Sequence, residues 1–172
     1  RLLRNAEEKV TIREMVRFCR DITAGLAALH HAGIVHRDLA TRNVLLSAER
    51  RCLLTDFGMS RAGTSEEQHN YTQATVGPLK WMAPEAITDR KYSFKTDTYS
   101  LGITFAEVFK RSDPYPGVEP VVVASGVLTR NLRPELDDFV PDTIVNLCTR
   151  MWAFEPAQRP ALSDVIAELD QI

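Results

Sequence analysis

Apolar side chains recur at Ile12, Met15, Val16, Cys19, Ile22, Leu26 and Leu29, three and four residues apart. That period predicts a helix over residues 11–31 with one buried stripe. Thr11 and Glu14 have the spacing of a capping box at its start. Gly33 lies just past its end, where a left-handed cap is expected. Three apolar runs follow, Ile34-Val35, Val44-Leu45-Leu46 and Cys52-Leu53-Leu54. Each is too short for a core sheet, so they read as small ribbons carrying loops. Residues 59–80 keep no period and contain the polar run 63–70. A loop of that length is uncommon unless it is functional, and we expect it to be mobile.

The second half is helical in pattern. Residues 95–110 carry Tyr99, Leu101, Ile103, Phe105, Ala106, Val108 and Phe109, a composition that predicts a helix buried on most of its surface. The run 113–117, Asp-Pro-Tyr-Pro-Gly, breaks the chain. Further helices are predicted over 121–128, despite its β-branched valines, and over 142–152. A last helix is expected to be capped by Ser163, with Val165, Ile166 and Leu169 turned inward. No internal repeat, low-complexity tract or linker interrupts this order, and 172 residues are enough for one domain with a sizeable core.

Composition narrows the picture by exclusion. A net charge of −2 gives no bulk attraction to nucleic acid or to an anionic membrane surface. No stretch of the length needed to span a bilayer is apolar, and no signal peptide is visible. Cys19, Cys52 and Cys148 are odd in number, far apart and without metal-type spacing, which fits buried reduced thiols better than a disulfide framework. The chain opens at Arg1 inside a helix-like segment (Leu2, Leu3, Ala6), so we expect a piece of a longer protein.

The chemistry sits in three short motifs in fixed order: 36–43, His-Arg-Asp-Leu-Ala-Thr-Arg-Asn; 56–58, Asp-Phe-Gly; and 83–85, Ala-Pro-Glu. Two acidic side chains and an amide in this arrangement suit a hydroxyl positioned by Asp38 and a hard cation held by the oxygens of Asn43 and Asp56. The 13 residues from Asn43 to Asp56 leave room for a hairpin that returns both to one site. The plain alternative is that Asp38 and Asp56 are turn residues that only cap strands.

Together the motifs resemble the catalytic half of a protein kinase, and more narrowly of a protein-tyrosine kinase. The resemblance covers nearly the whole chain. It implies a mainly α fold, the kinase C-lobe: a helical bundle around a buried central helix, with short β-hairpins carrying the catalytic and metal-binding loops. It also implies that residues 1–172 form a single domain starting just after the hinge, with the N-lobe outside this chain. Neither a Gly-rich phosphate loop nor the strand lysine of the family is found here, so the segment alone is expected to bind ATP weakly and to be inactive.

By resemblance, Asp38 accepts the hydroxyl proton, Asn43 and Asp56 hold Mg²⁺ on ATP, and Leu45 packs under adenine. His36 is a core histidine against which Phe57 packs, and Gly58 lets that segment swing. Arg37 pairs with a phosphorylated residue of the activation loop. Tyr71, the sole tyrosine between Asp56 and Glu85, is the expected phosphosite, with Thr72 and Thr75 as rivals. Glu85 and Arg159 form a buried ion pair. Asp97 bonds backbone near the catalytic loop, and Tyr99 stands where the family usually has Trp.

Two features favour tyrosine as the acceptor. Ala40 replaces the lysine usual in serine/threonine kinases, with Arg42 two residues further on. Pro78, Leu79, Lys80 and Trp81 resemble the substrate platform of tyrosine kinases. The resemblance therefore implies ATP, Mg²⁺ and tyrosine-bearing protein substrates, a role in signal transduction, and a cytoplasmic kinase domain. No nucleic-acid or membrane contact is readable. A tyrosine-kinase-like serine/threonine enzyme and a catalytically dead scaffold remain the alternatives.

Overall fold

The structure is a computed structural model that describes residues 9–56, 61–62 and 77–172. Six α-helices and four short strands lie among the described residues. The first helix, α1, spans Ile12–His31. The Thr11 hydroxyl accepts from the Glu14 amide and the Glu14 carboxylate accepts from the Thr11 amide, the expected capping box. Met15, Val16, Cys19, Ile22 and Leu26 of the predicted stripe are buried. Ile12 is not: it is 43% exposed. Gly33 takes φ +73, the left-handed conformation anticipated for it.

The ribbons form as two antiparallel pairs. Strands β2 (Val44–Leu46) and β3 (Cys52–Leu54) make one hairpin, with Leu45 opposite Leu53. Strand β1 (Ile34–Val35) pairs with β4 (Arg61–Ala62). The second pairing was not foreseen, because two residues inside an aperiodic stretch carry no strand signal. The hairpin is tied to α1 through Asp21. Its carboxylate, almost fully buried, accepts from Arg51 Nε at 2.8 Å and Nη2 at 2.7 Å and from the Cys52 amide at 3.1 Å.

A short helix α2 (Pro84–Thr88), also unforeseen, has Pro at its start, where the missing N–H costs nothing. It leads into α3, which spans Phe94–Lys110 behind a Ser93 cap. All seven apolar residues predicted to lie inward on α3 are buried, at 1% exposure or less. Gly102 lets α3 approach α5 (Asp142–Met151): a Cβ there would lie 3.1 Å from Met151 Cβ. Helix α4 spans Pro120–Arg130 and leaves Val121 and Val122 exposed.

The last helix, α6, spans Leu162–Leu169 and packs on α1. Ser163 is not its cap. Ala161 holds that place without a side-chain hydrogen bond, because burial of Leu162 and Val165 draws the helix start two residues upstream. The core is thus a bundle around α3, with the hairpins at one end. No helix among the described residues is long and apolar enough to cross a membrane.

Candidate active site

The site is built on one buried face of α3. Asp97, Ser100, Thr104 and Glu107 are buried, at spacings of three, four and three residues, so they share that face. Each holds backbone or side chain of a loop that carries a motif. The Asp97 carboxylate accepts from the amides of His36 at 2.7 Å and Arg37 at 2.9 Å. His30 Nε2 lies 2.9 Å from the same carboxylate. Thr104 Oγ1 donates to the Ser100 carbonyl at 2.7 Å and lies 3.4 Å from the Leu39 carbonyl, and Ser100 Oγ donates to the Trp81 carbonyl at 2.8 Å. Glu107 accepts from the Thr41 amide at 2.9 Å, from the Thr41 hydroxyl and from Trp81 Nε1 at 3.1 Å.

This grip explains the backbone. Arg37 has φ 69, a region costly for a long side chain. The two amides that Asp97 fixes hold it there. His36 is fully buried. The Arg37 guanidinium lies 5.3 Å from the centre of the Tyr92 ring.

Asp38 projects from this loop, partly exposed, with both carboxylate oxygens oriented. Arg42 donates to Oδ1, and Asn43 Nδ2 donates to Oδ2 at 3.0 Å and to the Asp38 carbonyl at 2.7 Å. A tight turn over Thr41–Asn43 makes these contacts possible. The Asn43 carbonyl accepts from the Thr55 amide at 2.9 Å and from its hydroxyl at 3.2 Å, so the hairpin does return the second motif beside the first. Asp56 follows, exposed, with φ 63, a conformation aspartate tolerates better than most residues. Arg42 also lies over the Trp81 ring, 4.6 Å from its centre, at a distance for cation–π attraction.

The donor set fits Mg²⁺. The Asn43 amide nitrogen is committed to Asp38, which leaves its oxygen, and Asp56 offers a carboxylate. One or two protein oxygens suffice, since this ion keeps waters and takes phosphate oxygens for the rest.

Pro78, Leu79, Lys80 and Trp81 lie in the turn Gly77–Trp81, which packs against α4. The side chain of Lys80 corrects its place on the substrate platform. It is buried, and Nζ is held by both Asp113 carboxylate oxygens at 2.9 Å and by the Tyr115 carbonyl at 3.0 Å. Lys80 anchors the loop from below. Glu85 and Arg159 meet in the expected ion pair. Leu45 is 58% exposed, on the hairpin face it shares with Leu53. Phe57, Gly58, Tyr71, Thr72 and Thr75 lie outside the described residues.

Glu107, Thr41, Ser100 and Thr104 were not anticipated as part of the site. The signal was present: polar residues at helical spacing inside an otherwise apolar helix.

The model of the protein tyrosine and serine/threonine kinase family matches residues 1–169. The chain belongs to that family. Its helical bundle with short hairpins is a kinase C-lobe. It is 35% identical over 162 residues to the Serine/threonine/tyrosine-protein kinase HT1 of Arabidopsis thaliana, covering 94% of this chain and 41% of that one. It is 34% identical over 173 residues to the Tyrosine-protein kinase Fer of Rattus norvegicus, covering 99% of this chain and 20% of the relative. With the RGS domain-containing serine/threonine-protein kinase A of Dictyostelium discoideum it shares 32% identity over 171 residues, 99% of this chain and 15% of that one. The chain therefore spans less than half the length of these relatives.

Proposed function

We propose that the protein carrying this segment transfers the γ-phosphate of ATP to a tyrosine hydroxyl of protein substrates, and that residues 1–172 are one domain of it, the lobe below the ATP site. The observation that carries the reading is the orientation of Asp38. Both its oxygens are fixed by Arg42 and Asn43, as a group must be that positions a hydroxyl and accepts its proton. The acceptor oxygen forms its bond to the γ-phosphorus while the bond from phosphorus to the ADP oxygen breaks, and the hydroxyl proton passes to Asp38. Mg²⁺, held by Asn43 and Asp56, neutralises phosphate charge when bound. Leu45 supplies the apolar surface beneath adenine, and the use of ATP puts the domain in the cytoplasm.

Tyrosine is favoured by Arg42. Its guanidinium bridges Asp38 and the Trp81 ring, so a flat cationic surface lies beside the loop where a phenol would rest. The second reading is a serine/threonine or dual-specificity kinase, supported by relatives whose names state those activities.

The test uses the full-length protein with Mg²⁺ and ATP beside an Asp38→Asn control, and reads the modified residues by mass spectrometry. Phosphotyrosine absent from the control is the expected result. Phosphoserine or phosphothreonine alone supports the second reading, and no phosphate supports a binding scaffold.

A further inference from the structure

Three buried polar atoms, Tyr99 Oη, Tyr115 Oη and Arg133 Nη2, have no hydrogen-bond partner among the described residues. Tyr99 is fully buried and Tyr115 is 5% exposed. A buried donor left unpaired is costly, so three of them in one place call for a ligand that accepts from all three.

The three atoms share one neighbourhood. The Arg133 guanidinium lies 5.2 Å from the centre of the Tyr99 ring. Burial pushes the Tyr99 phenol up to about 12 and pushes the Tyr115 phenol up as well. Both phenols feel the charge of Arg133, and Tyr115 also feels Tyr99. Both therefore keep their protons and can donate. The groups come from three stretches of chain: α3, the turn after it, and the segment after α4.

Charge balance decides the class of ligand. Arg133 Nε donates to the Trp152 carbonyl and Nη1 to the Leu132 carbonyl, both at 2.8 Å, and no carboxylate among the described residues pairs with it. Arg159 lies as close to the Tyr99 ring, but Glu85 neutralises it. One positive charge is left beside three donors. A water molecule takes up the hydrogen bonds and leaves that charge uncompensated. A phosphate or sulfate brings more acceptor oxygens than three donors satisfy, and more charge than one guanidinium balances. A monatomic, monovalent anion meets both conditions.

We propose that Tyr99 Oη, Tyr115 Oη and Arg133 Nη2 form a buried chloride site. Tyr99 stands where the kinase family usually has Trp, so the hydroxyl at this place is a feature of this chain. Bound there, the anion ties α3 to the segment after α4 and to the turn whose Tyr115 carbonyl accepts from Lys80. The inference is independent of the kinase reading.

Two measurements on the full-length protein test it. Bromide replaces chloride and scatters anomalously, so crystals soaked in bromide are expected to show an anomalous peak in contact with all three atoms. In solution, with gluconate keeping ionic strength constant, the urea midpoint is expected to rise with chloride concentration and then level off. Tyr99→Phe and Tyr115→Phe each remove one hydroxyl and keep the ring, so the fold survives. Each is expected to weaken the peak and to raise the half-saturating chloride concentration about 10-fold or more, the loss of one hydrogen bond to a charged group. Arg133 is kept, because it also holds two carbonyls.

Density at the site without anomalous signal identifies a water and overturns the proposal. So does a chloride dependence that is the same in the wild type and both variants. A bromide peak without a saturable effect in solution marks an adventitious ion only and overturns it too.

Discussion

Glu85 and Arg159, 74 residues apart, meet in a two-pronged ion pair, with Nη1 2.6 Å from Oε1 and Nη2 2.9 Å from Oε2. The Arg159 side chain is fully buried. Its remaining donors reach the carbonyls of Ala153, Lys95 and Phe154, and its guanidinium lies 5.2 Å from the Tyr99 ring centre. One side chain thus joins the start of α2, the first turn of α3 and the turn before α6.

Removing one partner leaves the other charge buried without compensation. Glu85→Ala is expected to cost about 3–5 kcal/mol of stability. Arg159→Lys is expected to be damaging too, since an ammonium cannot reproduce the planar fork. Urea unfolding checks both. A midpoint within error of wild type for Glu85→Ala would show that the pair contributes nothing.

Asp97 supports a second prediction. Asparagine in its place has one acceptor oxygen for amides that now occupy two, so the His36 or the Arg37 amide faces an NH₂ group. An unsatisfied buried donor costs about 1–3 kcal/mol. Arg37, at φ 69, then loses part of what holds it in an unfavourable conformation. Asp97→Asn is expected to unfold at lower urea and to lower kcat in the full-length protein. Loss of stability without loss of kcat would separate Asp97 from the catalytic loop's geometry.

These contacts mark the boundary of what the sequence reveals. The period of α1 and the apolar run of α3 were legible because burial of a helix face repeats every 3.6 residues. The motif residues were legible because their types and spacing carry chemistry. The Asp113 that holds Lys80 lies 33 residues away, and no local pattern links a surface-type lysine to it. Strand β4 is two residues long and exists only because β1 pairs with it. Ser163 was misread as a cap because local propensity favours serine there, while packing of Leu162 decided the boundary. Glu107 was overlooked because an apolar helix was read for its apolar residues.

Tyr71 supports a third prediction, in the segment outside the described residues. We propose that a phosphate there pairs with Arg37 by charge-assisted hydrogen bonds. We expect wild-type full-length protein to gain activity on incubation with Mg²⁺ and ATP, and Tyr71→Phe to stay at its starting rate. A Tyr71→Phe variant that activates with the same time course would exclude this site and turn attention to Thr72 and Thr75.

Asp21 sets a dependence on pH. Burial pushes its carboxyl up, but the Arg51 guanidinium and the Cys52 amide outweigh burial and hold it below the usual aspartate range. A folded-state value below the unfolded one means the unfolded chain binds the proton more readily. The stabilisation is therefore complete above the unfolded value of about 4 and fades as pH falls through the lower folded value. Acid loosens the hairpin from α1 before it disturbs the apolar contacts of α3. Amide hydrogen exchange at Cys52 is expected to quicken, after correction for intrinsic rates, as pH falls below about 4. In Asp21→Asn, which cannot titrate, that added pH dependence disappears while exchange at Cys52 is faster throughout. An identical pH profile in the variant would assign the acid sensitivity to another carboxylate, Glu14 being the next candidate because Arg17 on α1 and Arg50 in the β2–β3 turn pair with it.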